Sequence, residues 1–211
     1  MKTASLLLAA LVAAILPGCS NLERSRNLND SRVAASTMAA QVCSNCHGLD
    51  GNSVSPNFPR LAAQPAPYVV AQLKEFRSHA RLDPAGFVYM WGLSRHLTDE
   101  QIEGLAAYFA AQAPTPNAPG DARVADQGRG IFENGLTAAG VPACNTCHGP
   151  QGHGNATFPR LAGQHANYVV KQLAVFRDTE QRPEGAMMKA VSHSLTPQDM
   201  RAVAAYLQGL Q

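Results

Sequence analysis

Apolar residues recur along this chain at helical spacing, and they do so twice. Ile102, Leu105, Ala106 and Phe109 stand at i, i+3, i+4 and i+7, which places them on one face of a helix. Met200, Val203, Ala204 and Leu207 repeat the spacing. Val69, Leu73 and Phe76 form a second stripe, matched by Val169, Leu173 and Phe176. Both terminal helices carry start signals. Thr98 with Gln101 three residues on is a capping-box pattern. Thr196-Pro197 sets a cap before a proline at the first helical position. No segment alternates apolar with polar residues over the length of a strand, so the pattern predicts an all-α fold.

The duplication extends beyond the stripes. Cys43-Ser44-Asn45-Cys46-His47-Gly48 recurs as Cys144-Asn145-Thr146-Cys147-His148-Gly149. Phe58-Pro59-Arg60-Leu61-Ala62 recurs as Phe158-Pro159-Arg160-Leu161-Ala162, and Tyr68 with Gln72-Leu73 recurs as Tyr168 with Gln172-Leu173. Two copies are too few for a solenoid, so they read as tandem domains over residues 31–113 and 121–211. Residues 114–120, with Pro114, Pro116, Pro119 and Gly120, read as a semi-stiff extended linker. A domain this small has a marginal core, which a large apolar cofactor would fill.

Residues 1–19 read as an export leader. Lys2 gives a positive start, and Leu6 to Leu16 is an uncharged apolar run of 11 residues, too short to span a bilayer. The run ends in Leu16-Pro17-Gly18-Cys19, which resembles a bacterial lipobox. That resemblance implies a lipid on Cys19 and a polar tether over residues 20–30. Only 15% of residues are charged and the formal net charge is +2, which gives no reason to expect a nucleic-acid partner.

Cysteine use narrows the chemistry. There are five cysteines. Cys19 belongs to the leader junction, and the other four form the two Cys-x-x-Cys-His motifs. That pentapeptide is the attachment signal for c-type haem. The thiols of Cys43 and Cys46, and of Cys144 and Cys147, add to haem vinyl groups as thioethers. His47 and His148 are then the histidine ligands of two irons. Zinc or thioredoxin chemistry would need further ligands in the same domain, or βαβ units, and neither is present in the sequence.

The sixth iron position separates a carrier from an enzyme. Met90 is the only methionine between His47 and the linker, and it stands seven residues before Leu97. The second copy has Met187 and Met188, and only Met188 is seven residues before Leu195. Met90 and Met188 are therefore the expected sulfur ligands, with His96 or His193 the partner should a bis-histidine site exist. Histidine with methionine raises the iron potential and suits electron transfer without bond making at the metal.

On these motifs the chain resembles class I cytochromes c, most closely the dihaem cytochrome c4 family, from about Arg32 to Leu210. The resemblance implies two cytochrome c domains, each wrapped around one covalent haem c. It implies His47 with Met90 and His148 with Met188 as axial pairs. It also implies that the carbonyls of Pro59 and Pro159 accept a proton from the second nitrogen of each ligand histidine. Arg60 and Arg160 are placed either against haem propionates or in solvent. Tyr68, Tyr168, Gln72 and Gln172 are placed near the propionates, at the domain interface or in the core. The stretch before Met90 looks shorter than in typical members, which implies a more exposed first haem.

The remaining histidines, His79, His96, His153, His165 and His193, read as ordinary polar or surface residues. Gly128 reads as a close crossing of two helices, with Phe132 packing near Tyr206. The function implied is a periplasmic, lipid-anchored electron carrier. Its expected donor is a quinol-oxidising complex, and its acceptor a terminal oxidase, such as a cbb3 type, or a reductase. A dedicated subunit of a dehydrogenase or reductase complex is the competing reading, and a dihaem peroxidase a more distant one.

Overall fold

The structure, a computed structural model, describes residues 26–211. The leader and the expected lipid site at Cys19 lie outside the described residues. In the first half, α1 (Ala35–Met38) continues through a π-helical turn (Ala39–Cys43) into α2 (Ser44–His47). Helix α3 (Ala66–Arg77) follows, then a second π-helical turn (Gly86–Met90), α4 (Trp91–Ser94) and α5 (Asp99–Ala110). The second half holds α6 (Ala122–Asn134), α7 (Asn145–His148), α8 (Ala166–Asp178), α9 (Ala186–Ser192) and α10 (Pro197–Gly209). Among the described residues there is no strand, only two isolated bridges.

Each half buries its own stripe. Ile102, Leu105 and Phe109 of α5 join Val33 and Met38 in one core. Met200, Val203 and Leu207 of α10 join Ile131, Phe132 and Val169 in another. Both last helices start on capping boxes. Thr98 accepts from the Gln101 amide while Gln101 accepts from Thr98, and Thr196 does the same with Asp199.

Helix α6 crosses α10 where Gly128 leaves room. A Cβ there would lie 1.9 Å from the Ala202 carbonyl oxygen. Phe132, one turn on, packs at 5.5 Å from the Tyr206 ring. Since the obstruction is backbone, a methyl at this position cannot be relieved by a rotamer change. Gly128→Ala is expected to destabilise the second domain by ~3 kcal/mol or more, measured by denaturant unfolding.

A seam of paired side chains joins the halves and follows their pseudo-two-fold relation. The Gln64 amide donates to the Arg160 carbonyl at 2.8 Å and its oxygen accepts from the Arg160 amide at 3.0 Å. Gln164 makes the mirrored pair with Arg60, at 3.0 and 2.8 Å. A second layer is built from Arg81, Arg182, Gln72 and Gln172. The Gln72 oxygen accepts from Arg81 and Arg182 at 2.5 and 2.7 Å, and the Gln172 oxygen from the same two arginines at 3.3 and 2.7 Å. Asp83 pairs with Arg81 at 2.6 Å and Glu184 with Arg182 at 2.7 Å. The linker is strapped down, with Thr115 donating to Asn52 and Asn117 to the Gly163 carbonyl.

Asp83 is fully buried in this clasp. Burial alone would raise its pKa, but the hydrogen bond and charge of Arg81 outweigh burial and hold the carboxyl below its ordinary range. A depressed folded pKa contributes stability above the unfolded value, which is lost as pH falls through the folded one. Asp83→Asn should therefore cost roughly 3–5 kcal/mol near neutral pH, because it leaves Arg81 buried without its counter-ion. The deficit relative to the unsubstituted protein should shrink below about pH 4, seen as converging unfolding midpoints.

Candidate functional site

Each Cys-x-x-Cys-His motif lies on one short helical turn. Cys43 ends the first π-helical turn, and Cys46 and His47 lie on α2. Cys144 caps α7, which carries Cys147 and His148. Both turns stop at glycine with a left-handed φ, +80° at Gly48 and +84° at Gly149. A residue with a Cβ is strained there, so the turn that follows each histidine favours glycine.

The two histidines are buried and oriented alike. His47 Nδ1 lies 2.8 Å from the Pro59 carbonyl and His148 Nδ1 lies 3.0 Å from the Pro159 carbonyl. A carbonyl can only accept, so Nδ1 carries the proton in each ring and Nε2 keeps its lone pair. Burial lowers the pKa of both imidazoles, against the opposing pull of the proline carbonyls. Each ring is thus a neutral, fixed nitrogen donor. Phe58 and Phe158 meet the ligand rings edge-on at 6.3 and 6.1 Å.

None of the four motif cysteines is in a disulfide, so all four are available to form thioethers. Burial pushes Cys43 and Cys144 up to about 11, so these thiols are protonated at neutral pH. Among the described residues no three His, Cys, Asp or Glu side chains converge as metal ligands. A structural zinc site needs such a cluster of four ligands. Two thiols and one neutral imidazole nitrogen on a single turn instead match what a covalently held haem needs from the chain.

Met90 closes the second π-helical turn and is half-buried. Its carbonyl accepts from the fully buried Ser94 hydroxyl at 2.6 Å. In the second half Met187 is 60% exposed, whereas Met188 packs against the core. This contrast favours Met188 over its neighbour. Ser192, also fully buried, stands four residues after Met188, as Ser94 does after Met90. The sequence reading missed both serines, although their matching offset was visible. His96 and His193 are exposed.

The structure selects among the placements left open for several side chains and moves one, His165. The Arg60 guanidinium donates to the Gly163 carbonyl at 3.1 Å, to Asn52 at 2.7 Å and to Thr115. Arg60 and Arg160 are both buried in the seam rather than solvated. Of the placements open to Gln72 and Gln172, the structure selects the domain interface. Tyr68 lies beside Tyr168, Arg81 and Arg182, and burial raises its pKa, so it keeps its proton. His165 is not a surface residue. It is buried, its Nε2 lies 2.8 Å from the Ser53 carbonyl of the first domain, and its Nδ1 lies 3.3 Å from Asn117 of the linker. His79 stacks on Phe87 and Trp91 at 5.3 and 4.9 Å.

Comparison with known proteins agrees with this arrangement. The Cytochrome c family pattern matches residues 33–112 and again 125–211. Cytochrome c4 of Azotobacter vinelandii is 39% identical over 187 residues, covering 84% of this chain and 89% of its own. A thiosulfate dehydrogenase electron acceptor of Stutzerimonas stutzeri (strain A1501) is 36% identical over 173 residues, covering 80% and 78%. The crystal structure of reduced recombinant cytochrome c4 from Pseudomonas stutzeri superposes with a TM-score of 0.76 at 38% identity, covering 87% of this chain and 100% of that one. Duplicated motif, paired histidine geometry and these likenesses lead to one conclusion: the chain belongs to the cytochrome c4 family of dihaem electron-transfer cytochromes, with two tandem cytochrome c domains that bind covalently attached haem c.

Proposed function

We propose that this protein is an electron carrier, not an enzyme, working on the periplasmic side of a bacterial membrane to which a lipid on Cys19 tethers it. Cys43 and Cys46 hold one haem c, and Cys144 and Cys147 the other. His47 with Met90 and His148 with Met188 would ligate the two irons. The bound groups supply reversible one-electron iron chemistry. The chain fixes imidazole orientation through Pro59 and Pro159, would supply one imidazole and one thioether sulfur to each iron, and joins the two domains through the seam. The observation that carries this reading is the doubled motif with each histidine Nδ1 on a proline carbonyl. An absorption spectrum tests it. The ferric protein should show the weak far-red band of methionine–iron bonding, at an intensity for two sites, and the ferrous protein should bind little carbon monoxide near neutral pH. Strong carbon monoxide binding would point to an open, enzymatic site such as a peroxidase.

The partners proposed are a quinol-oxidising complex as donor and a terminal oxidase, such as a cbb3 type, or a reductase as acceptor. After the leader, the first half carries eight basic and eight acidic residues and the second eight and seven. Docking therefore depends on apolar surface more than on charge. Rates with a partner should change less than about threefold between low and moderate salt, measured by stopped flow. One relative is named a thiosulfate dehydrogenase electron acceptor, which supports a second reading, a carrier dedicated to one dehydrogenase. Co-purification in fixed ratio with such an enzyme would favour it.

A further inference from the structure

Between the domains lies a cavity of ≈ 60 Å³ whose lining includes Asn52, Arg60, Gln64, Thr115, Arg160 and Gln164. None of the residues that line it is a motif cysteine, a ligand histidine or a methionine. Arg60 and Arg160 both line this place, and both are more than nine-tenths buried, each being 8% exposed. Arg60 has protein partners. In Arg160 the Nε–H is the one buried side-chain nitrogen or oxygen among the described residues without a hydrogen-bond partner.

The charge is as unmatched as the proton. Burial disfavours the cationic form of Arg160, and the nearby charge of Arg60 disfavours it further. The one acid that acts on Arg60 is Asp50, at the exposed surface. Two buried cations with so little counter-charge from the chain's own side chains are costly, and an unmet N–H adds to the cost. A small anion removes both penalties at once. Guanidinium is a planar donor matched to oxyanions, and side-chain amides and a hydroxyl line the same cavity.

We propose that this cavity binds one small inorganic oxyanion of the sulfate or phosphate class, received by the Arg160 Nε–H and bridging the two domains. Occupancy ties Arg160 to the Arg60 side of the seam and so stabilises the docked pair of domains. The site does not depend on which residues ligate the irons, none of which lines it.

Thermal unfolding of the purified holoprotein, titrated with sodium sulfate at constant ionic strength set by sodium chloride, tests the proposal. Tm should rise along a saturating curve, by ~3–6 °C at tenfold excess over the dissociation constant. Isothermal titration calorimetry with sulfate should give one site per chain. Arg160→Gln should abolish the saturating rise, and Arg160→Lys, which keeps the charge without the fork, should weaken binding at least tenfold. Arg123→Gln, on exposed α6 surface, should leave it intact. A wild-type protein with no saturable response, or an unchanged response in Arg160→Lys, would overturn the proposal. Should Arg160→Gln fail to fold, the wild-type calorimetry and the lysine variant decide the matter.

Discussion

Replacing Cys144 and Cys147 together with alanine is expected to leave a protein carrying one haem instead of two. Each domain has its own motif and its own core, so the first domain should load normally. The second should lose more than colour. Its hydrophobic core is that of a small domain, which on its own supports only marginal stability. Without the covalent cofactor, the segment from α7 to α9 loses the group it folds around, a penalty of the order of the domain's whole stability, ~5–10 kcal/mol. Haem absorbance per polypeptide should halve, and calorimetry should show a separate transition at much lower temperature. A variant that kept both haems, or kept a single high-temperature transition, would contradict the assignment. Alanine at Cys43 and Cys46 should produce the mirror result.

The second large effect concerns the sulfur ligands. Met90→Ala should remove half of the far-red band and lower one reduction potential by something of order 0.1–0.2 V, a fraction of the ~0.8 V range that axial ligands set. Met188→Ala should do the same to the other site. Met187→Ala should change neither quantity, because that side chain is exposed while Met188 packs inward. Loss of the band on substitution of Met187 would reverse the choice between these neighbours. Loss from neither would bring His96 or His193 forward as ligand.

The parts of this molecule that were legible in its sequence share a physical basis, local periodicity and short-range chemistry. The α5 and α10 stripes, both capping threonines and the Gly128 crossing need only residues a few positions apart, or one glycine where a side chain could not fit. The doubled motif is equally local. What the sequence reading did not supply is the seam. Arg81 and Asp83 repeat as Arg182 and Glu184, so the signal was present. Their meaning depends on Gln72 and Gln172 facing each other across two domains, which no spacing within one copy reveals. His165 shows the same limit. In the first copy its place is taken by Pro65, and nothing near it in the chain says that Ser53 and Asn117 will close over it. Arg77 and Arg177 are a further duplicated pair whose role the spacing alone did not reveal. Each donates to the carbonyl before the last helix, Arg77 to Leu97 and Arg177 to Leu195, both at 2.9 Å.

Central to the whole account is that both cysteine pairs hold porphyrin through carbon–sulfur bonds. Intact mass measurement of the mature protein under denaturing conditions addresses this directly. A mass equal to the polypeptide plus two haem groups, unchanged by acid–acetone extraction, is the predicted result. A bare polypeptide mass, or pigment that leaves with the solvent, would contradict it.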